Sequence, residues 1–145
     1  MQVQLTTETD DPEVLQQLLD AALHFNLLYL MKHPQAPPLY RSRVMYRREP
    51  RQVVRFERFA GIPEVLRQGW GDCDDLAPWR AAELNMAGVG ARPVLIDAAH
   101  PAYREISGGS PVKRLWHVVV ERNLSPTNHE VIYEDPSARL GMYDV

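Results

Sequence analysis

Cys73 is the first residue of the sequence whose surroundings predict a chemical role. It lies in the segment GWGDCDDLAPWRAAEL, between a glycine-rich turn and the beginning of a predicted helix. The positive end of a helix dipole favours the thiolate form, and a thiolate is a nucleophile for acyl transfer. Asp72, Asp74 and Asp75 stabilise the same helix end but repel a thiolate, so the sulfur needs a cationic partner. Taken alone, a single cysteine is more often an inert buried residue.

His117 is the predicted partner, and Asp135 is the residue expected to orient its ring. His117 is the second residue of the segment WHVVVE, whose β-branched content predicts a strand. If this strand and the returning segment EVIYED pair about Pro126, His117 lies directly opposite Asp135. A shift of the pairing by one residue would place the two side chains on opposite faces of the sheet. The alternative is that Asp135 only begins a turn with Pro136. Among the other histidines, His24 is expected to pack within a helix, and three are expected to lie in solvent: His33, His100 and His129.

Two main helices and a small set of strands are predicted to position these residues. Asp11 caps the first helix, which Pro34 stops, and the second helix spans 72–87 with Cys73 at its beginning. If this helix begins at Cys73, Pro78 lies inside it and removes a backbone hydrogen bond; if it begins later, Cys73 lies in a turn before the helix. The remaining predictions are a short helix at 63–68, strands at 43–48, 93–96, 116–121 and 130–135, a turn over 123–129, a loop over 100–111, and an ambiguous segment at 51–59.

Taken together, these segments resemble the transglutaminase-like family of the papain-like cysteine fold. The resemblance rests on Gly71-Asp72-Cys73 opening a helix, Gly88-Val89-Gly90-Ala91-Arg92 before a strand, Trp116-His117 within a strand, and Asp135-Pro136 after another. It covers residues 69–137, about half of the chain. It implies one α+β domain over residues 1–145, in which N-terminal helices accompany a cysteine-bearing helix packed on a small antiparallel sheet that carries the histidine and the aspartate.

The resemblance also implies the reaction. Cys73, His117 and Asp135 would form a catalytic triad that attacks a glutamine carboxamide or a peptide carbonyl through a thioester, without a cofactor. The implied partners are a protein or peptide carrying the glutamine and a lysine amine or water as acceptor. For the oxyanion, the backbone N–H of Cys73 is one expected donor, and the second is Gln68 or the indole of Trp70. The first helix and the arginine-rich segment 41–58 are candidates for lining an acceptor groove.

Other functions stay open at this point. The same triad serves a cysteine peptidase or amidase, and a non-enzymatic virion structural protein could retain the fold. The short length and the ending DPSARLGM resemble small versions of the family encoded by bacteriophages, which suggests virion proteins as partners. Metal binding through Cys73, His117 and the nearby aspartates is disfavoured because no second soft ligand exists, and no loop resembles a calcium site.

The length and composition of the chain limit the classes of fold and function that it can have. A chain of 145 residues allows one domain, and 16 basic against 19 acidic residues argue against a nucleic-acid partner. A single cysteine excludes an intramolecular disulfide and a zinc site built on paired thiolates. The start has no positive and then apolar run, and no stretch reaches the roughly 20 apolar residues of a membrane span, so a cytoplasmic protein without membrane partners is expected. Substrate identity and oligomeric state are not predicted.

Overall fold

The chain combines helices with three small groups of paired strands. A computed structural model describes residues 4–7, 11–48, 57–97, 100, 116–125 and 128–142. Within these ranges the mixture of helix and sheet fits the predicted α+β class. The elements in chain order are β1 (Gln4–Thr7), α1 (Pro12–Lys32), a 3₁₀ turn (Leu39–Arg41), β2 (Met45–Tyr46), β3 (Glu57–Ala60), α2 (Ile62–Gln68), β4 (Trp70–Gly71), α3 (Cys73–Met86), β5 (Ala91–Asp97), β6 (Trp116–Ser125), β7 (Asn128–Glu134) and α4 (Pro136–Arg139).

Helix α1 begins and ends close to where the sequence predicts. The Asp11 side chain accepts a hydrogen bond from the Glu13 backbone N–H at 2.9 Å, with Pro12 at the first helical position. Its Gln16 amide bonds strand β5 on both sides, donating to the Pro93 carbonyl at 2.8 Å and accepting from the Leu95 N–H at 3.0 Å. These two bonds fix α1 against the edge of the sheet. The prediction that His24 packs was wrong, because its side chain is exposed on α1.

The predicted antiparallel sheet is present, with strand order β5-β6-β7 and β6 in the centre. Alternation along β6 divides its side chains between two faces. Val118 and Val120 belong to the main core with helix α3, whereas Val119 packs with Val94 and Ile96 on the other face. Since His117 pairs with Ile96 across the sheet, its side chain belongs to the face of Val119.

The register between β6 and β7 differs from the prediction by two residues. Val120 lies opposite Glu134, so the pairing places His117 two residues away from direct opposition to Asp135. The strands also extend further towards the turn than predicted, since Ser125 pairs with Asn128 and an irregularity separates this pair from Asn123. A displacement of two residues, unlike one, keeps every side chain on its predicted face.

Helix α3 lies at the centre of the packing. It contacts α1, β5 and β6, and Leu76, Ala77 and Trp79 are fully buried along it. The outer pairs are β1 with β3, which is antiparallel, and β2 with β4, which is parallel. Strand β1 was not predicted. In the part of the chain that the structure describes, no helix has the length and apolar character needed to cross a membrane.

Candidate active site

Cys73 is the first residue of α3, as the sequence predicts, and its side chain is half-buried. The preceding Asp72 caps the helix, accepting from the Asp74 N–H at 3.3 Å. Asp75 completes a capping box, because its Oδ2 accepts from the Asp72 N–H at 3.2 Å. The thiol therefore lies at a capped helix N-terminus, whose dipole favours a negative charge on the sulfur.

Two neighbours show why this turn needs its particular residues. Asp75 Oδ1 also accepts from the buried Ala60 N–H at 2.6 Å, which ties β3 to the beginning of α3. A Cβ added to Gly71 would lie 3.1 Å from Leu76 Cδ2 and 3.2 Å from Asp75 Cβ, tighter than ordinary contact. Gly71 and Asp75 therefore maintain the backbone conformation that positions Cys73, and their role is structural and not catalytic.

His117 and Asp135 form a buried pair, as predicted. His117 Nε2 lies 2.8 Å from Asp135 Oδ2, and the two side chains are only 3% and 4% exposed. Asp135 directly follows β7 and caps α4, where its Oδ1 accepts from the N–H groups of Ser137 at 3.1 Å and Ala138 at 3.3 Å. Asp135 therefore both begins the turn with Pro136 and contacts His117, so its two predicted roles are compatible.

The contact with Asp135 limits where the imidazole can carry its proton. When the Asp135 carboxylate is ionised it only accepts, and His117 Nε2 then carries the hydrogen that Asp135 receives. That leaves Nδ1 as the second ring nitrogen; it is buried and has no hydrogen-bond partner among the residues that the structure describes, Cys73 included. A buried nitrogen without a partner costs stability, and such atoms are found at sites that act on another molecule.

A network next to Asp135 fixes its position relative to α3. Glu134 accepts from Arg80 Nε of α3 at 2.6 Å, from the Tyr40 hydroxyl at 2.6 Å and from Arg122 of β6 at 3.0 Å. Burial opposes ionisation of Glu134, but the hydrogen bonds from Arg80 and Tyr40 outweigh it and lower the pKa of this carboxyl. Three elements thus converge on the residue beside Asp135. No local pattern indicates this network, since its members are far apart in the chain.

A cavity of about 110 Å³ lies beside the Cys73 side chain. Its apolar walls come from α1, β3, β5 and β6, and consist of Leu15, Leu19, Phe59, Leu95, Trp116 and Val118. The first helix therefore lines this cavity through Leu15 and Leu19, whereas no residue of 41–58 is among its described lining residues, and the acceptor groove stays a prediction. Trp116 and Cys73 both line the cavity, so the thiol lies near the beginning of β6. The next residue along β6, His117, directs its ring to the other face of that strand.

Asp74 is the member of the site that sequence reasoning missed. It lines the cavity next to Cys73, is 7% exposed, and its Oδ1 has no hydrogen-bond partner among the described residues. Burial, followed by the charges of Asp72 and Asp75, raises its pKa well above the ordinary value. A protonated Asp74 removes part of the repulsion that the sequence predicts for a thiolate at Cys73. The acidic run DCDD carried no signal of which carboxylate would be buried.

The two candidates for the second oxyanion donor lie elsewhere. Gln68 ends α2 and donates from its side-chain amide to the Trp70 carbonyl at 2.7 Å. Trp70 pairs with Met45 between β4 and β2, and the Arg47 guanidinium lies 5.3 Å from the centre of its indole ring. Neither is among the described residues that line the cavity. Their role in binding an oxyanion stays a prediction.

Comparison with known proteins gives no relative for this chain. No family model, no curated protein and no solved structure matches it.

Proposed function

We propose that this chain is a cysteine acyltransferase of the transglutaminase-like type, with Cys73 as nucleophile, His117 as general base and acid, and Asp135 as the group that orients the ring. The observation that carries the proposal is the buried His117–Asp135 pair at 2.8 Å, with the second ring nitrogen left without a partner. A pair serving only to fill the interior would be expected to satisfy both ring nitrogens.

The position of the ring hydrogen determines which nitrogen of the His117 imidazole can act as the base. With Nε2–H bound to Asp135, Nδ1 presents a lone pair that can take the thiol proton from Cys73. The resulting imidazolium is stabilised by the buried carboxylate, and the thiolate by the N-terminus of α3. The reaction requires the sulfur to reach Nδ1, and because the cavity beside Cys73 and the His117 ring lie on opposite faces of β6, the proposal requires the beginning of β6 to move relative to α3.

The reaction then proceeds in two halves. The Cys73 thiolate attacks the carbonyl carbon of a glutamine carboxamide, and the C–N bond breaks as His117 gives its proton to the leaving ammonia, which leaves a thioester. A primary amine next attacks the thioester, His117 takes one of its protons, and the thiolate leaves with an amide as product. When water attacks instead, the product is a carboxylic acid, so the choice between amine and water decides between crosslinking and deamidation.

The test is a coupled assay on a glutamine-containing peptide with a fluorescent primary amine. The wild-type chain should release ammonia and incorporate the amine, and Cys73→Ala and His117→Ala should do neither. His24→Ala is the matched control, because His24 is an exposed histidine of α1 outside the site, and it should retain full activity. Peptide cleavage without amine incorporation would assign a peptidase instead, and ammonia release that survives Cys73→Ala would refute the proposal.

A further inference from the structure

The last residue of β7 and the residue after it make their contacts on different faces of the sheet. Glu134 pairs with Val120 of β6, whose side chain belongs to the main core with α3. Asp135 follows directly and contacts His117, whose side chain belongs to the opposite face. Because the two acidic residues are adjacent in the chain, a displacement of Glu134 also displaces the Asp135 carboxylate.

Arg80 of α3 forms an ion pair with Glu134. Its Nε donates to Glu134 Oε2 at 2.6 Å, and its Nη1 donates to Glu83, three residues further along the helix, at 3.2 Å. The side chains of Arg80 and Glu134 are 20% and 13% exposed, so solvent screens this pair less than it screens a pair on the surface. A guanidinium bonds two carboxylates through separate N–H groups in a fixed geometry, which a lysine ammonium does not provide.

Tyr40 and Arg122 complete the arrangement around Glu134. The Tyr40 hydroxyl donates to the same Oε2 at 2.6 Å, and the Arg80 guanidinium lies 4.9 Å from the centre of its ring. Burial, followed by the hydrogen bond to Glu134, raises the pKa of Tyr40 far above its ordinary range, so this hydroxyl keeps its hydrogen in mildly alkaline solution. Arg122 of β6 donates to the other oxygen, Oε1, at 3.0 Å.

The spacing along α3 connects this arrangement to the thiol. Cys73 and Arg80 are seven residues apart in one helix, which is almost two full turns, so they lie on the same side and about 10 Å apart along the axis. The helix therefore carries the thiol at its first residue and, two turns later, the donor that fixes the end of β7. Arg80 thereby sets the position of Asp135 relative to the helix that carries Cys73.

We propose that Arg80 is a positioning residue for the buried pair of His117 and Asp135. It acts by fixing Glu134, with support from Tyr40, so that the Asp135 carboxylate stays at His117 Nε2 and the hydrogen of the neutral ring stays on that nitrogen. Without the guanidinium, Glu134 loses the ion pair that ties the end of β7 to α3, and the preference of the ring hydrogen for Nε2 weakens. The benefit for acyl transfer rests on the proposed function, whereas the effect on the ring does not.

The test is a long-range ¹H–¹⁵N NMR spectrum of the histidine rings, recorded in the pH range where the His117 ring is neutral. Such a spectrum distinguishes a hydrogen on Nε2 from one on Nδ1. The wild-type chain should show at least about a tenfold excess of the Nε2–H form, because a hydrogen bond to a charged acceptor is worth at least that factor. Arg80→Met should reduce this excess at least about threefold, as expected when the contact keeps half of its free energy. Tyr40→Phe should change it in the same direction and by less.

The matched controls are Arg67→Met and Tyr133→Phe. Arg67 bonds Glu64 of α2, whose side chain is 3% exposed. The Tyr133 hydroxyl bonds Glu121. Each control thus removes the same chemical group from a different glutamate and should keep the wild-type ring spectrum. Urea unfolding of all four variants establishes that the spectra come from folded protein, and because the tyrosine variant of the network loses only a hydroxyl, it keeps the test decisive if the arginine variant does not fold.

Kinetics separate positioning from substrate binding. In the coupled assay, Arg80→Met should lower kcat about 10–100-fold while KM stays within about threefold, because misplacing the base slows the chemical step and leaves substrate contacts intact. A wild-type ring with its hydrogen on Nδ1, or wild-type ring spectra in both Arg80→Met and Tyr40→Phe, would overturn the inference. The predicted ring changes in a chain without any acyl transfer would refute the proposed function alone, and acyl transfer with unchanged ring spectra in both variants would refute the inference alone.

Discussion

Replacing Asp135 with alanine removes two separate contributions that the structure lets us estimate. The first is the cap of α4, where Oδ1 accepts from Ser137 and Ala138, and losing such a cap typically costs about 1 kcal/mol. The second is the partner of His117 Nε2, whose burial makes an unpaired N–H cost about 1–3 kcal/mol. Asp135→Ala should therefore lower the free energy of unfolding by about 2–4 kcal/mol.

The assay is urea unfolding followed by circular dichroism, with Asp11→Ala as the comparison. Asp11 is an exposed cap of α1, so its replacement should cost about 1 kcal/mol. Asp135→Asn retains a capping oxygen, but its amide N–H₂ turned towards Nε2 favours the hydrogen on Nδ1. That tautomer cannot accept the thiol proton, so turnover should fall by at least about 100-fold while the fold survives. A cost for Asp135→Ala no larger than that for Asp11→Ala would refute the reasoning on the buried pair.

Three further predictions concern α3 and its N-terminal turn. Since burial raises the pKa of Asp74, the folded chain holds a proton that the unfolded chain releases above the ordinary pKa, so stability falls as pH rises through this window. Asp74→Asn should then be more stable than wild type at pH 7, with the gap shrinking near pH 3, and a gap independent of pH in urea unfolding would contradict this. Gly71→Ala should cost about 1–3 kcal/mol through crowding against Leu76 and Asp75, and an unchanged midpoint of thermal unfolding would show that the turn relaxes. Cys73→Ala should abolish ammonia release and change the free energy of unfolding by less than about 1 kcal/mol, and a larger loss would make the thiol a structural residue.

The local signals of the sequence predict helices α1 and α3 well because caps and stops act over a few residues. Asp11 with Pro12, and Asp72 before Cys73, mark helix beginnings that the structure shows at the same positions. Pro78 does not prevent α3 from beginning at Cys73. Strand β1 escaped prediction because its pairing with β3 depends on residues 50 to 56 positions away.

In the candidate site, too, the features that depend on neighbouring residues could be predicted, and those that depend on tertiary packing could not. Parity along β6 and β7 was enough to place His117 and Asp135 on one face, although the register itself was wrong by two residues. No local pattern in the run DCDD indicates that Asp74 lines the cavity while Asp72 and Asp75 cap the helix, since the cavity is formed by how α1, β5 and β6 pack around it. The network around Glu134 likewise depends on tertiary packing that joins Tyr40, Arg80 and Arg122.

The central claim is that the imidazole of His117 activates the thiol of Cys73. The most direct measurement is the rate of Cys73 alkylation by iodoacetamide as a function of pH, in wild type and in His117→Gln, with His24→Gln as the control. The account predicts rapid alkylation of wild type and of the control well below the pH of about 8.5 at which an ordinary cysteine ionises, and its loss in His117→Gln. Identical profiles for wild type and His117→Gln would contradict it.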